Sequence, residues 1–189
     1  MILFSDRGTP VGYHHMHGYS GHTFKFVNAE GKFHYVQVHV RKDGGCKTYT
    51  DQEAGKLSGE NPDVGIQLLF EDIEKGAFPS WTVYVQTMTP EQAEKFRYNI
   101  LDLTKVWPHA EFPLRPVGKI VLDKNAQNYF AEIEQAAFSP SHLVPGIEPS
   151  ADPVLQSRLF SYPDTHRCVY APFTALCGCT HSAAATVSV

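Results

Sequence analysis

The sequence predicts an α+β fold: an antiparallel sheet, or part of a β-barrel, flanked by short capped helices and wrapped by a long irregular loop. Three observations carry this. Residues 33–41, FHYVQVHVR, alternate with period two, Val36, Val38 and Val40 facing one way and Tyr35, Gln37, His39 and Arg41 the other, the pattern of a half-buried antiparallel strand. Runs at 22–28 (HTFKFVN), 81–88 (WTVYVQTM) and 117–123 (VGKIVLD) have strand composition as well, and four strands at these separations suit an antiparallel sheet or a barrel. The stretch between 96 and 117, FRYNILDLTKVWPHAEFPLRP, is broken by prolines and rich in large aromatics, and a loop of this length wraps a core or lines a site.

Taken in order, residues 4–24 form a loop-rich opening, with glycines at 8, 12, 18 and 21 and Pro10. His14, His15, His17 and His22 lie there without a carboxylate or cysteine at ligand spacing, so they read as exposed or hydrogen-bonded rather than as a metal site. The run 22–28 pairs with 33–41 as a hairpin through Asn28-Ala29-Glu30-Gly31. Thr50 and Asp51 cap a helix over TDQEAGKLSGE that Gly55 weakens. Asn61-Pro62-Asp63 opens a second helix carrying Ile66, Leu69, Phe70 and Ile73 at core spacing, ended by Gly76. Thr89-Pro90-Glu91 opens a short third. Residues 126–138, AQNYFAEIEQAAF, predict a fourth with Tyr129, Phe130, Ile133 and Phe138 apolar. Glu132 and Glu134 on it face different sides and read as solvated.

The last helix starts at Asp152, an N-cap residue, with Pro153 at its first position, and the pattern closes at Pro163 because a proline disfavours helical geometry in the residue before it. Leu155 and Leu159 share one face, Arg158 and Tyr162 another. The second pair has two readings. It is either a surface contact, or a phenolate stabilised by a guanidinium, a hard anionic oxygen suited to ferric iron.

Bulk properties bound the function. With 189 residues, 42% hydrophobic and 19% charged, the chain has the size and composition of one globular domain with a real core. A formal charge of −4 and no basic run argue against nucleic acid as a partner. There is no apolar run long enough to span a membrane, no secretory signal in MILFSDRGTP and no S-K-L-type C-terminal tripeptide. Cysteines stand at 46, 168, 177 and 179, and C-G-C fits neither a disulfide framework nor a zinc pattern.

The run R-L-F-S-Y-P-D-T-H, Arg158 to His166, resembles the haem-ligand signature of the catalase family, and similar runs extend from Phe4 through Arg167. The resemblance implies a catalase-like fold with a partial antiparallel β-barrel. It implies haem as cofactor, with Tyr162 the proximal iron ligand and Arg158 hydrogen-bonded to it. His22, in HTFK, would support Arg158 and be oriented by Asp152, a relay Asp152–His22–Arg158–Tyr162 that keeps the ligand anionic. The runs FSDRG and DLTKVWPH resemble the family's NADPH contacts, implying Ser5, Arg7, Trp107 and His109, with Arg41 where lysine is frequent and His17 where asparagine is usual. No G-x-G-x-x-G fingerprint is present, so NADPH would bind in a surface groove. The implied activity is conversion of hydrogen peroxide to water and oxygen by a homotetramer, in peroxisomes or cytoplasm.

Two departures qualify this. The family's distal histidine and asparagine correspond to sequence before Met1, so the expectation is that the chain by itself is inactive, without catalytic residues of its own. The match stops after Arg167, dividing the chain into a partial catalase core, 1–167, and an uncharged tail, 168–189, expected to be disordered or loosely helical. The competing readings are a non-enzymatic truncated relative that holds no haem, and a haem enzyme of the same fold that converts other hydroperoxides.

Overall fold

The structure, a computed structural model, describes residue 3 and residues 5–177, with side chains through Arg167. The expectations for Cys179 and the end of the tail fall outside the described residues, as do those for the side chains of Cys168 and Cys177.

The hairpin forms as the sequence predicts. Strand β2 (Phe24–Val27) runs antiparallel to β3 (Phe33–Lys42), Val27 opposite Phe33. Asn28 makes the turn: its Oδ1 accepts from the N–H groups of Glu30 and Lys32, and Gly31 takes φ +77°, a region that disfavours residues with a Cβ. Strand β4 (Ser80–Met88) pairs with β3 along eight residue pairs from Tyr35–Met88 to Lys42–Trp81, and β5 (Arg115–Val121) forms the edge beyond it.

Two short strands are additions to the sequence reading. β1 (Gly18–Tyr19) continues the β2 side of β3, and β6 (Ile147–Pro149) closes the far edge against β2. The order is β5-β4-β3-β2-β6, antiparallel throughout. The opening segment is therefore tied down rather than loose: Pro10 bridges Thr48, and Val11 N–H donates to Lys47 O.

The wrapping loop makes the core. Ile100, Trp107 and Phe112 pack on Met88 of β4, with Tyr35, Phe96 and Leu101 around them. Helix α1 (Asp51–Glu60) carries a full Thr50/Glu53 capping box, and α3 (Pro90–Glu94) has the same device from Thr89 and Gln92. Helix α2 spans Val64–Glu74.

Three helical expectations are corrected. On α2 only Ile73 is buried; Ile66 and Phe70 are exposed, and the segment at Asn125 meets the helix through polar contacts rather than covering that face. Residues 126–138 do not form a regular helix but a π-helical turn, Phe130–Glu134. Asn125 is pinned to α2, its Nδ2 donating to Phe70 O and Glu74 Oε1, and Asn128 caps Ala131 N–H, so helical geometry begins late. Tyr129, Phe130, Ile133 and Phe138, expected on a core face, are exposed. Finally, Pro163 does not end the last helix: α4 runs from Pro153 to Cys177. A mid-helix proline removes one backbone bond at a cost of about 3 kcal/mol, which a helix already nucleated and capped at Asp152 absorbs by propagating on both sides.

Candidate functional site

A local irregularity in the sheet builds the first half of the site. Tyr19 stands opposite His39 and Phe24 opposite Val36, so five steps along one strand match three along its partner. The surplus is accommodated at Ser20–Thr23, where Gly21 adopts φ +70° and Ser20 Oγ donates to His22 O. Such a bulge re-aims side chains, and here it turns His22 and Thr23 into the interior. Thr23 Oγ1 donates to Ile100 O, tying the bulge to the wrapping loop.

The partner of His22 arrives from the other edge. Pairing of β6 with β2, Pro149 opposite Phe24, delivers Ser150 and Asp152 beside the bulge. Asp152 is 1% exposed and its two oxygens do different work. Oδ1 accepts from Val154 N–H (2.9 Å) and Leu155 N–H (3.4 Å), capping α4; Oδ2 accepts from His22 Nδ1 at 2.6 Å. The proton is thereby held on Nδ1, leaving Nε2 as the free ring nitrogen. One carboxylate thus fixes the start of α4 to the sheet.

That anchor sets the rotation of α4. Val154, Arg158 and Tyr162 follow at intervals of four on one face, Val154 exposed and the other two half-buried. Arg158 Nη2 donates to Tyr162 Oη at 2.6 Å, with the guanidinium carbon 5.2 Å from the ring centroid. His166, one turn on, meets the Tyr162 ring at 6.4 Å. The structure therefore forms two pairs, His22–Asp152 and Arg158–Tyr162. Among the described residues no hydrogen bond joins His22 to Arg158.

The donor chemistry fits haem on its ligand side. A phenol oxygen that receives a guanidinium N–H keeps a second lone pair available to a ferric ion. Val154, beside the pair on this face of α4, is exposed and apolar, a surface chemically suited to a flat apolar group. Among the described residues no cluster of three or more His, Cys, Asp or Glu side chains offers an alternative metal cage.

The residues expected at a dinucleotide surface are partly assembled. His17 and His109 are the ends of a row of rings: His17 meets Tyr19 at 6.4 Å, Tyr19 meets His39 at 5.3 Å, and His39 meets His109 at 5.9 Å, all edge-to-face. Tyr19 and His39 were not singled out by sequence, although His39 fell on the outward side of the alternating strand. His17 Nδ1 accepts from Lys42 N–H. Trp107 is 2% exposed, a core residue whose ring faces Phe112 at 5.9 Å rather than the surface. Ser5 and Arg7 lie on the exposed 3-10 turn Asp6–Gly8 and at its edge, and Arg41 is exposed on β3.

Comparison with known proteins agrees with this geometry. Residues 1–174 match the protein-family profile described as Catalase. The peroxisomal catalase of Candida tropicalis is 60% identical over 167 residues, 88% of this chain and 34% of that protein. Peroxisomal catalase A of Saccharomyces cerevisiae (strain ATCC 204508 / S288c) is 62% identical over 167 residues, again 88% of this chain and 32% of the relative. A fungal catalase crystal structure superposes with a TM-score of 0.84 at 63% identity, covering 88% of this chain and 33% of that one. Catalase A from Saccharomyces cerevisiae gives the same TM-score, 0.84, at 61% identity, with 88% and 34% covered. The chain spans about a third of the length of these relatives. The overall fold is thus shared with these catalases, and the chain belongs to the catalase family.

Proposed function

We propose that this chain supplies the iron-ligand side of a haem catalase acting on hydrogen peroxide. The observation that carries the proposal is the Arg158–Tyr162 pair on the open face of a helix whose start is fixed by a buried Asp152–His22 contact. Tyr162 would hold the iron through its phenol oxygen. Haem, when bound, supplies the redox-active iron for dismutation of two peroxides to two waters and dioxygen. Arg158 would orient the phenol oxygen toward the iron by donating to it, and Asp152 would set the rotation of α4 that presents the pair. The reading assigns no peroxide-side acid–base residue within 1–189, and general acid–base help is worth about 10²–10⁴-fold. Residues 1–189 by themselves are therefore proposed to bind haem without turning over peroxide. The names of the relatives favour a peroxisomal setting, and a homotetramer is the proposed assembly.

The test is the visible spectrum of the purified chain with haemin, beside Tyr162→Phe. A sharp Soret band with high-spin ferric features that disappear in the variant supports the reading. A band unchanged by the substitution removes Tyr162 from the iron.

The row His17–Tyr19–His39–His109 favours a second ligand, NADPH, with Arg7 and Arg41 as phosphate partners and Ser5 beside them. Planar rings presented in series suit a nucleobase or nicotinamide. Quenching of NADPH fluorescence on titration with the chain, lost in Tyr19→Ala, is the expected result.

A further inference from the structure

Gln86 has no part in anything derived so far, yet it is one of the most completely used side chains in the molecule. It lies on β4, is 0% exposed, and satisfies its amide entirely with neighbours of different origin. Its Nε2 donates to Trp107 O at 3.2 Å and to Phe112 O at 2.5 Å, gripping the turn 107–112 at both ends. Its Oε1 faces His39 Nε2 at 2.9 Å. The two carbonyls settle the orientation of the amide, since the reverse would set an amide oxygen against two carbonyl oxygens. Oε1 can only accept, so His39 carries its proton on Nε2, and Nδ1 is the acceptor of that ring. The turn that Gln86 holds carries His109, whose ring lies 5.9 Å from that of His39.

We propose that Gln86 is the positioning residue of the ring row: from within the core it fixes the tautomer of His39 and sets His109 against it, so that a buried amide determines the affinity of the surface for a dinucleotide. This rests on the NADPH reading above. Gln86 cannot itself touch such a ligand. Its effect passes through His39 on one side and the 107–112 turn on the other.

Gln86→Glu keeps the shape and an acceptor for His39 but offers at most one proton, and none when ionised, where the amide gives two to Trp107 O and Phe112 O. Gln86→Asn keeps every donor and acceptor but retracts them by one methylene. Val36→Ala, a core truncation on the opposite side of β3 from His39, controls for lost stability. NADPH titrations of the 189-residue chain should show at least tenfold weaker binding for Gln86→Glu and a smaller loss for Gln86→Asn, with Val36→Ala within twofold of the parent at a matched drop in melting temperature. Affinity that follows melting temperature alike in all three overturns the proposal. Histidine ¹H–¹⁵N spectra of the parent give a second reading that needs no variant to fold. One Nε2–H tautomer for His39 is expected, and an Nδ1–H tautomer overturns the proposal. If the parent binds no NADPH, the dinucleotide reading fails by itself. The positioning of the ring row is then judged on the spectra, where Gln86→Asn should mix the His39 tautomers and shift the His109 ring signals, and unchanged signals refute it.

Discussion

The two pairs at the candidate site differ in where their energy goes. His22–Asp152 is sealed in the interior, joins residues 130 apart in sequence, and doubles as a helix cap. Arg158–Tyr162 is local, one helical turn long, and half open to solvent. A buried charged contact is expensive to break, because the partner left behind is stranded, whereas an open i,i+4 pair adds only a few tenths of a kcal/mol. The first pair is thus the one the fold depends on, and the second is the one free to be spent on a ligand.

Asp152→Ala is the severest test of that division. It strands His22 and uncaps α4 together, and a loss of about 3–5 kcal/mol is expected in urea unfolding. Asp152→Asn, an equally good cap, should recover about 1 kcal/mol of this, and equal losses for the two would mean the cap contributes nothing. Thr50→Ala, which removes the capping box of α1 far from either pair, sets an intermediate scale of about 1 kcal/mol. Tyr162→Phe and Arg158→Gln should move stability by no more than about 0.5 kcal/mol. On haemin the order reverses: Tyr162→Phe abolishes the Soret band, and Arg158→Gln weakens haemin binding by about 10–100-fold, the usual effect of removing a group that supports a metal ligand. If Tyr162→Phe were as destabilising as Asp152→Ala, the open pair would be structural and the comparison would collapse.

The same contrast explains what could be read from the sequence. Strands β2 to β5, the Thr50 and Thr89 caps, and the Asp152-Pro153 start all rest on local chemistry within a few residues, and local chemistry is visible in sequence. The Arg158–Tyr162 spacing is local too. Nothing near His22, however, announces a two-residue surplus against β3, and β6 is three residues whose strand state exists only because β2 lies beside it. Pro163 misled because propensity weighs one residue and a helix propagates cooperatively. The apolar faces of α2 and 126–138 misled for the converse reason: periodicity reports a face that could be covered, not one that is. Gln86 sat within a strand already recognised, and the three groups that give it meaning come from β3 and both ends of a distant turn.

The smallest expected effect concerns pH, and it separates the ring row from the sheet edge. Burial lowers the pKa of His39 below its ordinary 6.5, opposed by the Gln86 bond and reinforced by His109 and Arg41. Burial does the same at His15, with His14 next and Lys42 and Lys47 adding to it. A base whose folded pKa lies below its unfolded one is protonated first in the unfolded chain, so stability falls as pH drops from about 6.5 toward the folded values and then levels off. Asp43, just past the end of β3, acts in the same sense but at lower pH. Hydrogen bonds from Ser80 and Thr82, and then Lys119, hold its carboxyl down at about 2, against a reference of 3.8. Its contribution persists through the histidine range and disappears only as pH falls from the unfolded value through the folded one. Melting curves between pH 8 and pH 3 should accordingly show a shallow step setting in below about 6.5, reduced in His39→Gln, and a separate decline at the acid end, reduced in Asp43→Asn. If His39→Gln leaves the histidine step unchanged, His39 is not held neutral by its surroundings, and the buried side of the ring row is wetter than its contact with Gln86 implies.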